Sequence, residues 1–170
     1  MDEVCNCNTC KVEPVLEKLT KDNFENIIWN GHRLILHRKH LTLYRANSIG
    51  KMKSDNGSWV KCVSYSPDND YYTYYTRSID SFIENFIPIV FADFEERLLD
   101  EKYHLQDKVI KLDNFISENP KFQELDGKDK ELMEKQYDAM RLYYDFLSQR
   151  VTKMLKAKIE EYDAPPSTGE

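Results

Sequence analysis

Three cysteines, Cys5, Cys7 and Cys10, open the chain in a C-x-C-x-x-C pattern. Thiols this close could hold a zinc ion if one more ligand joined them, such as Cys62 or His32. Structural zinc sites usually bring two ligand pairs, and only one cluster is present, so residues 1–13 read as a tail with free thiols and no metal ligand is assigned. His37 and His40 bracket Arg38 and Lys39 between two apolar runs, a pattern that suits a polar turn better than a metal or catalytic pair. Tyr71, Tyr72, Tyr74 and Tyr75 offer faces on which a base could stack, although clustered tyrosines in a sheet also serve as cross-strand packing pairs. The chain contains no G-x-S-x-G, no G-x-x-x-x-G-K-[ST], no H-E-x-x-H and no G-x-G-x-x-G. Its five glycines leave little material for a phosphate-cradling loop. A non-enzyme follows, with no catalytic residue and no cofactor.

The net charge is −6, with 32% of residues charged and 12% aromatic, which is the composition of a folded rather than a disordered chain. The charge is uneven. Residues 31–90 carry more Lys and Arg than Asp and Glu, and the C-terminal half is acidic. A general nucleic-acid binder is usually basic overall, so no DNA or RNA partner is expected, whereas a small anionic ligand suits the middle segment. The longest apolar run, Phe86 to Ala92, includes Pro88 and falls far short of the roughly 20 residues of a membrane span. The N-terminus is acidic and polar, unlike a signal peptide, which points to a cytosolic protein without disulfides.

Two long helices must organise the chain. Phe91, Phe94, Leu98, Leu105, Val109, Leu112 and Ile116 recur at helical spacing, and Asn119-Pro120 ends that helix. Asp126 is placed to cap the next helix, from about Lys128 to Tyr162. Its stripe is Met133, Tyr137, Met140, Tyr144, Leu147, Val151 and Met154, a heptad seam on a helix of roughly 50 Å. Phe115, Tyr143, Phe146 and Leu155 lie off the seams, so the pair is expected to pack on its own chain and on a second subunit. Upstream, Val15, Leu16 and Leu19 suit a helical turn, Asp22 could cap another reaching Trp29, and Asn30-Gly31 is a turn. From His32 the period becomes two, giving strands at Leu34–Leu36 and Leu41–Leu43. Arg45 to Lys51 reads as a strand end and turn, Asp55-Asn56-Gly57 as a hairpin turn, and Trp59–Tyr65 and Tyr71–Arg77 as strands. Ser78 caps a short helix from Ile79 to Phe86. The fold class is α+β: a small antiparallel β-sheet followed by a long antiparallel helical hairpin. The divisions are a tail at 1–13, the sheet region at 14–90, the hairpin at 91–163 and a disordered tail at 164–170.

The hairpin residues Lys111-Leu112-Asp113-Asn114-Phe115-Ile116, Phe122, Leu125, Leu132, Gln136, Met140, Tyr144, Leu147 and Arg150 resemble a helical hairpin of phage proteins. It is shared by the type I Thoeris anti-defence proteins and the cyclic-oligonucleotide sponges that block CBASS immunity. Arg45, Gly50-Lys51, Trp59 to Tyr65, Arg77, Phe82 and Phe86 are similar to the small sheet that precedes that hairpin in the Thoeris type. The resemblance covers roughly residues 32 to 152; the cysteine-containing start and the extension past Val151 depart from it. It implies a sponge in the host cytoplasm that sequesters a cyclic ADP-ribose isomer or a cyclic oligonucleotide without degrading it. It also implies a homo-oligomer, dimer or hexamer, with ligand sites between subunits. The competing reading is an interaction protein whose hairpin binds a host or phage protein. A ligand with phosphates and a purine calls for arginine forks and aromatic faces. The candidates are Arg45, Tyr65 and Arg77 on the sheet, Phe115 near the end of the first long helix, and Arg141 and Arg150 on the second. The plainer role of Arg141 is an i, i+4 ion pair with Asp145, and that of Arg150 a solvated or inter-subunit ion pair.

Overall fold

A computed structural model describes residues 17–29, 33–68, 70 and 72–165. The expectations for Cys5, Cys7, Cys10, Val15, Leu16, Asn30-Gly31, His32, Tyr71 and residues 166–170 lie outside them. The elements are α1 (Phe24–Trp29), β1 (Leu34–His37), β2 (Leu43–Lys53), β3 (Trp59–Pro67), β4 (Tyr75–Ser78), α2 (Ile79–Asn85), β5 (Phe86–Pro88), α3 (Asp93–Glu118), α4 (Pro120–Glu124) and α5 (Gly127–Asp163). All pairings in the sheet are antiparallel, in the order β4-β3-β2-β1-β5, so the α+β class holds.

Alternation sends the two faces of this sheet into two cores. Ile35, Ala46, Val63, Tyr65 and Phe86 pack with Leu19, Phe24, Ile28 and Phe82 under α1 and α2. Leu36, Leu43, Ile87 and Ile89 pack with Leu98, Leu99, Leu147, Val151 and Leu155 of the hairpin. A bulge keeps β2 in this scheme. Ala46 pairs with Tyr65 and Ser48 with Ser64, leaving Asn47 extra. The side-chain phase shifts there, so Ala46 and Ile49, three residues apart, reach the same core. β2 therefore runs on to Lys53, and Arg45 to Lys51 is a continuous bulged strand rather than a strand end and turn. The N-terminal lead-in also differs from expectation. Thr20 and Asn23 exchange side-chain to backbone hydrogen bonds ahead of α1, in place of a cap from Asp22.

Two further corrections concern the end of the sheet. The strand expected over Tyr71 to Arg77 is confined to Tyr75–Ser78, and Tyr72 and Tyr74 are exposed. Phe86 does not end the short helix: α2 stops at Asn85, and Phe86 opens β5, pairing with His37. Pro88 has no N–H to donate, and it sits in the outermost strand, where that loss is tolerated.

The hairpin follows the sequence closely. Asn119 ends α3 and its side chain accepts from the Lys121 N–H to start α4, while Asp126 accepts from Lys128 and Asp129 to cap α5. Leu147 is fully buried against the sheet, so the middle of the seam closes an intrachain core rather than an assembly contact. Three polar contacts fasten the base. Lys158 Nζ lies 3.0 Å from Glu95 Oε2. Arg38 Nη1 meets Asp163 Oδ2 at 2.6 Å. The Leu19 N–H donates to the Tyr162 hydroxyl at 2.6 Å. The last turns of α5 are thus tied to the β1–β2 turn and to the segment before α1.

Candidate functional site

On the α1/α2 face, β4 brings Arg77 beside Tyr65. Arg77 is opposite Val63 and Tyr75 is opposite Tyr65, and opposed residues share a face. The Arg77 Nε–H donates to the Tyr65 hydroxyl at 2.6 Å, and the guanidinium lies 5.8 Å from the centre of the Phe86 ring. Tyr65 is only 3% exposed, its ring hemmed in by Tyr44, Phe82 and Phe86 at 5.0–5.7 Å. Tyr44 is half-buried and Tyr75 exposed, with centroids 6.3 Å apart. Burial, then the neighbouring hydroxyls of Tyr75 and Tyr65, push the Tyr44 phenol above its ordinary pKa, so it stays a proton donor at neutral pH.

The two histidines border this cluster. His37 is buried, its ring 4.5 Å from His40 and 4.7 Å from Phe86. Its Nδ1 accepts from the Lys39 and His40 backbone N–H groups at 3.2 and 3.3 Å, which needs the neutral ring. Burial first, then the charges of His40 and Arg77, hold its pKa below 6.5. The polar turn expected here is present, and its organiser is a buried imidazole; Leu41 completes it at φ 52°. Among the described residues no three His, Cys, Asp or Glu side chains come together as a metal site would require.

Arg45 lies on the opposite face. It is in phase with Leu43, under the hairpin, and its Nη2 donates to Asp68 Oδ1 at 2.8 Å. Asp68 in turn is felt at the Tyr103 phenol, which burial, Asp68 and Tyr144 push above its ordinary pKa. Lys102 Nζ sits 5.4 and 5.6 Å from the Tyr103 and Tyr144 rings. This makes a second group of cationic and aromatic side chains where sheet meets hairpin. Lys102 interrupts the apolar stripe of α3, and that interruption was the visible sign of it.

Phe115 is in the distal part of the hairpin, roughly 25 Å along α3 from Leu99. Its ring meets Phe122 edge-on at 6.1 Å, and it helps line an open groove of about 530 Å³ with Leu105, Lys108, Lys111, Gln136 and Met140. Arg141 has no ion pair with Asp145 among the described residues. Its guanidinium lies over the Tyr137 ring at 5.6 Å, and the Asp113 carboxylate of α3 pushes the Tyr137 phenol above its ordinary pKa. Arg150 is exposed near the Tyr143 hydroxyl, which donates to Glu101. Within one chain, then, Tyr65 and Arg77 come together, while Arg45, Phe115, Arg141 and Arg150 occupy other places.

A second apolar stripe runs along α5, away from the seam. Leu132, Leu142, Tyr143 and Phe146 are each about half exposed, and 54% of Phe146 is open. At 100° per residue they share one face. No helix among the described residues is long and apolar enough to cross a membrane.

Residues 92–153, the hairpin without its final turns, match the Sequestin family. No curated protein and no solved structure matches the chain at a significant level.

Proposed function

We propose that this chain, with its Sequestin hairpin, is a phage immune-evasion sponge. It binds a cyclic nucleotide alarm signal in the host cytoplasm, a cyclic ADP-ribose isomer or a cyclic oligonucleotide, and holds it without degrading it. The observation that carries the reading is the match over residues 92–153, whose name denotes sequestration and whose span is the hairpin part of the stretch that resembles the phage sponges. The side chains support it. Such a ligand presents phosphates and a purine, which arginine forks and aromatic rings recognise without a nucleophile or a metal. Arg77, Tyr65 and their tyrosine neighbours form one such group, and Arg45 belongs to another at the junction. Phe115, Arg141 and Arg150 complete the ligand-binding set from the hairpin.

Their separation within one chain fits a site assembled between subunits. The stripe of Leu132, Leu142, Tyr143 and Phe146 supplies an apolar face for a second copy, in a dimer or a hexamer. A sponge must bind tightly, and a nanomolar constant corresponds to about −12 kcal/mol, more than an open surface on one subunit supplies. The same stripe favours one other reading, an interaction protein whose hairpin docks on a host or phage protein. Calorimetric titration with cyclic ADP-ribose isomers and cyclic di- and trinucleotides separates the two. Saturable submicromolar binding of one of them is the expected result; no heat from any leaves the interaction protein.

A further inference from the structure

We propose that the fork of Arg77 is the seat of a phosphate group of the ligand, with Tyr65 as its positioning residue and the Tyr44 and Tyr75 hydroxyls as flanking donors. This rests on the sequestration reading above and narrows it to one place on the chain.

Arg77 differs from the other arginines of the sheet region. Arg38 is paired with Asp163, and Arg45 with Asp68. Arg33 lies over the Trp29 ring. Arg77 meets no carboxylate among the described residues. Its Nε is instead spent on the Tyr65 hydroxyl and its face on Phe86, which fixes the guanidinium plane and leaves the two terminal nitrogens for an outside acceptor. A planar fork held this way loses little freedom when it takes a phosphate bidentately. Tyr65 is fully engaged in the core, so its contribution is to hold the fork, while a base or sugar would meet the exposed Tyr75 ring.

The surroundings suit an anion. The charges felt at His37 are those of His40, Arg77 and Lys39, all cationic or able to become so, and no carboxylate is among them. The Tyr44 phenol feels the charge of Arg77 as well. The Phe86 ring against the guanidinium and Tyr65 beside it lower the local dielectric and strengthen attraction to a phosphate.

The probe is inorganic pyrophosphate, followed through the Arg77 Nε–H resonance of the full chain. In the wild type that proton should exchange slowly, protected by Tyr65, and should shift saturably with pyrophosphate. Tyr65→Phe should remove the protection and weaken pyrophosphate binding several-fold. Arg77→Gln and Arg77→Lys should each weaken it roughly tenfold or more, the scale of a hydrogen bond to a charged group; testing both guards against one failing to fold. Arg33→Gln should bind as the parent does. The proposal is overturned if pyrophosphate leaves the Arg77 resonance in place, or if both Arg77 variants fold and bind unchanged. A parallel titration with cyclic ADP-ribose isomers and cyclic di- and trinucleotides keeps the two claims apart. If one of these binds while Arg77 stays silent, the seat is elsewhere and the sponge stands. A responsive Arg77 in a chain that binds none of them keeps the anion seat and removes the sponge.

Discussion

Glu95 and Lys158 hold the two ends of the hairpin together, and breaking that pair should cost more than any single surface contact. Glu95 Oε2 accepts from the Ala92 N–H at 2.8 Å, satisfying the first turn of α3, and meets Lys158 Nζ at 3.0 Å. The side chains are only 8% and 18% exposed, so water cannot readily replace a missing partner. Removing one member of such a pair costs about 3–5 kcal/mol, because the other is left buried and uncompensated. Lys158 keeps some solvent, which places Glu95→Ala near the lower end, about 3 kcal/mol. With an m-value of about 2 kcal/mol/M, the urea midpoint should fall by roughly 1.5 M. Lys158→Met alone should also destabilise the chain. Glu95→Gln with Lys158→Met should return to within about 1 kcal/mol of the parent, because neither charge remains and Gln still accepts from Ala92. The assay is urea unfolding of the parent, Glu95→Ala, Glu95→Gln, Lys158→Met and the Glu95→Gln/Lys158→Met double variant, with the parent and the last three treated as a double-mutant cycle. Single variants that each cost under about 1 kcal/mol, or effects that simply add, would refute the reasoning.

Three further outcomes are expected. His37 has a folded pKa below 6.5, so as pH falls through 6.5 the unfolded chain takes up the proton first and stability declines until the folded value is reached; above 6.5 both states are neutral and this contribution is flat. His37→Asn offers Oδ1 to the same backbone N–H groups, so urea midpoints measured across that window should lose this slope, and an unchanged slope would assign it to other groups. Phe146→Asp should leave the chain folded by circular dichroism, since the side chain is half exposed, yet reduce the assembly to a species near 20.2 kDa by light scattering; a parent that is already a monomer counts against the assembly. Phe115→Ala should weaken nucleotide binding by about 1–3 kcal/mol by calorimetry if the ring stacks on a base, with a smaller loss of stability from the Phe122 contact; equal affinity would make the ring structural.

The hairpin was legible in the sequence because its signals are local. Asn119-Pro120 and Asp126 mark helix ends by backbone chemistry alone, and the seam from Met133 to Met154 repeats without interruption. The sheet was harder because its irregularities break the period that reveals it. The bulge at Asn47 turns an alternation of two into a step of three, which disguises one long strand as a strand and a turn. Phe86 continues the apolar face of α2 and so reads as helix, although it is fixed by its pairing with His37, far back in the chain. The candidate site follows the same rule. Arg77 and Tyr65 were recognisable as a fork and a ring, but their hydrogen bond depends on the β3–β4 register, and so do the places of Tyr44 and Tyr75. Arg45 and Arg77 look equivalent in sequence and lie on opposite faces of the sheet. Nothing in a heptad says which partner fills it, and Leu147, in the middle of the seam, is buried against the sheet of its own chain.

The central claim is that the chain holds a cyclic nucleotide and does not change it. The direct measurement is to incubate the purified protein with cyclic ADP-ribose isomers and cyclic di- and trinucleotides, and remove free ligand. The protein is then denatured by heat, and what it releases is weighed by mass spectrometry. One of these nucleotides should be retained and come off with its mass intact. A linearised or hydrolysed product would make the chain an enzyme, and the absence of any retained nucleotide would contradict the sponge outright.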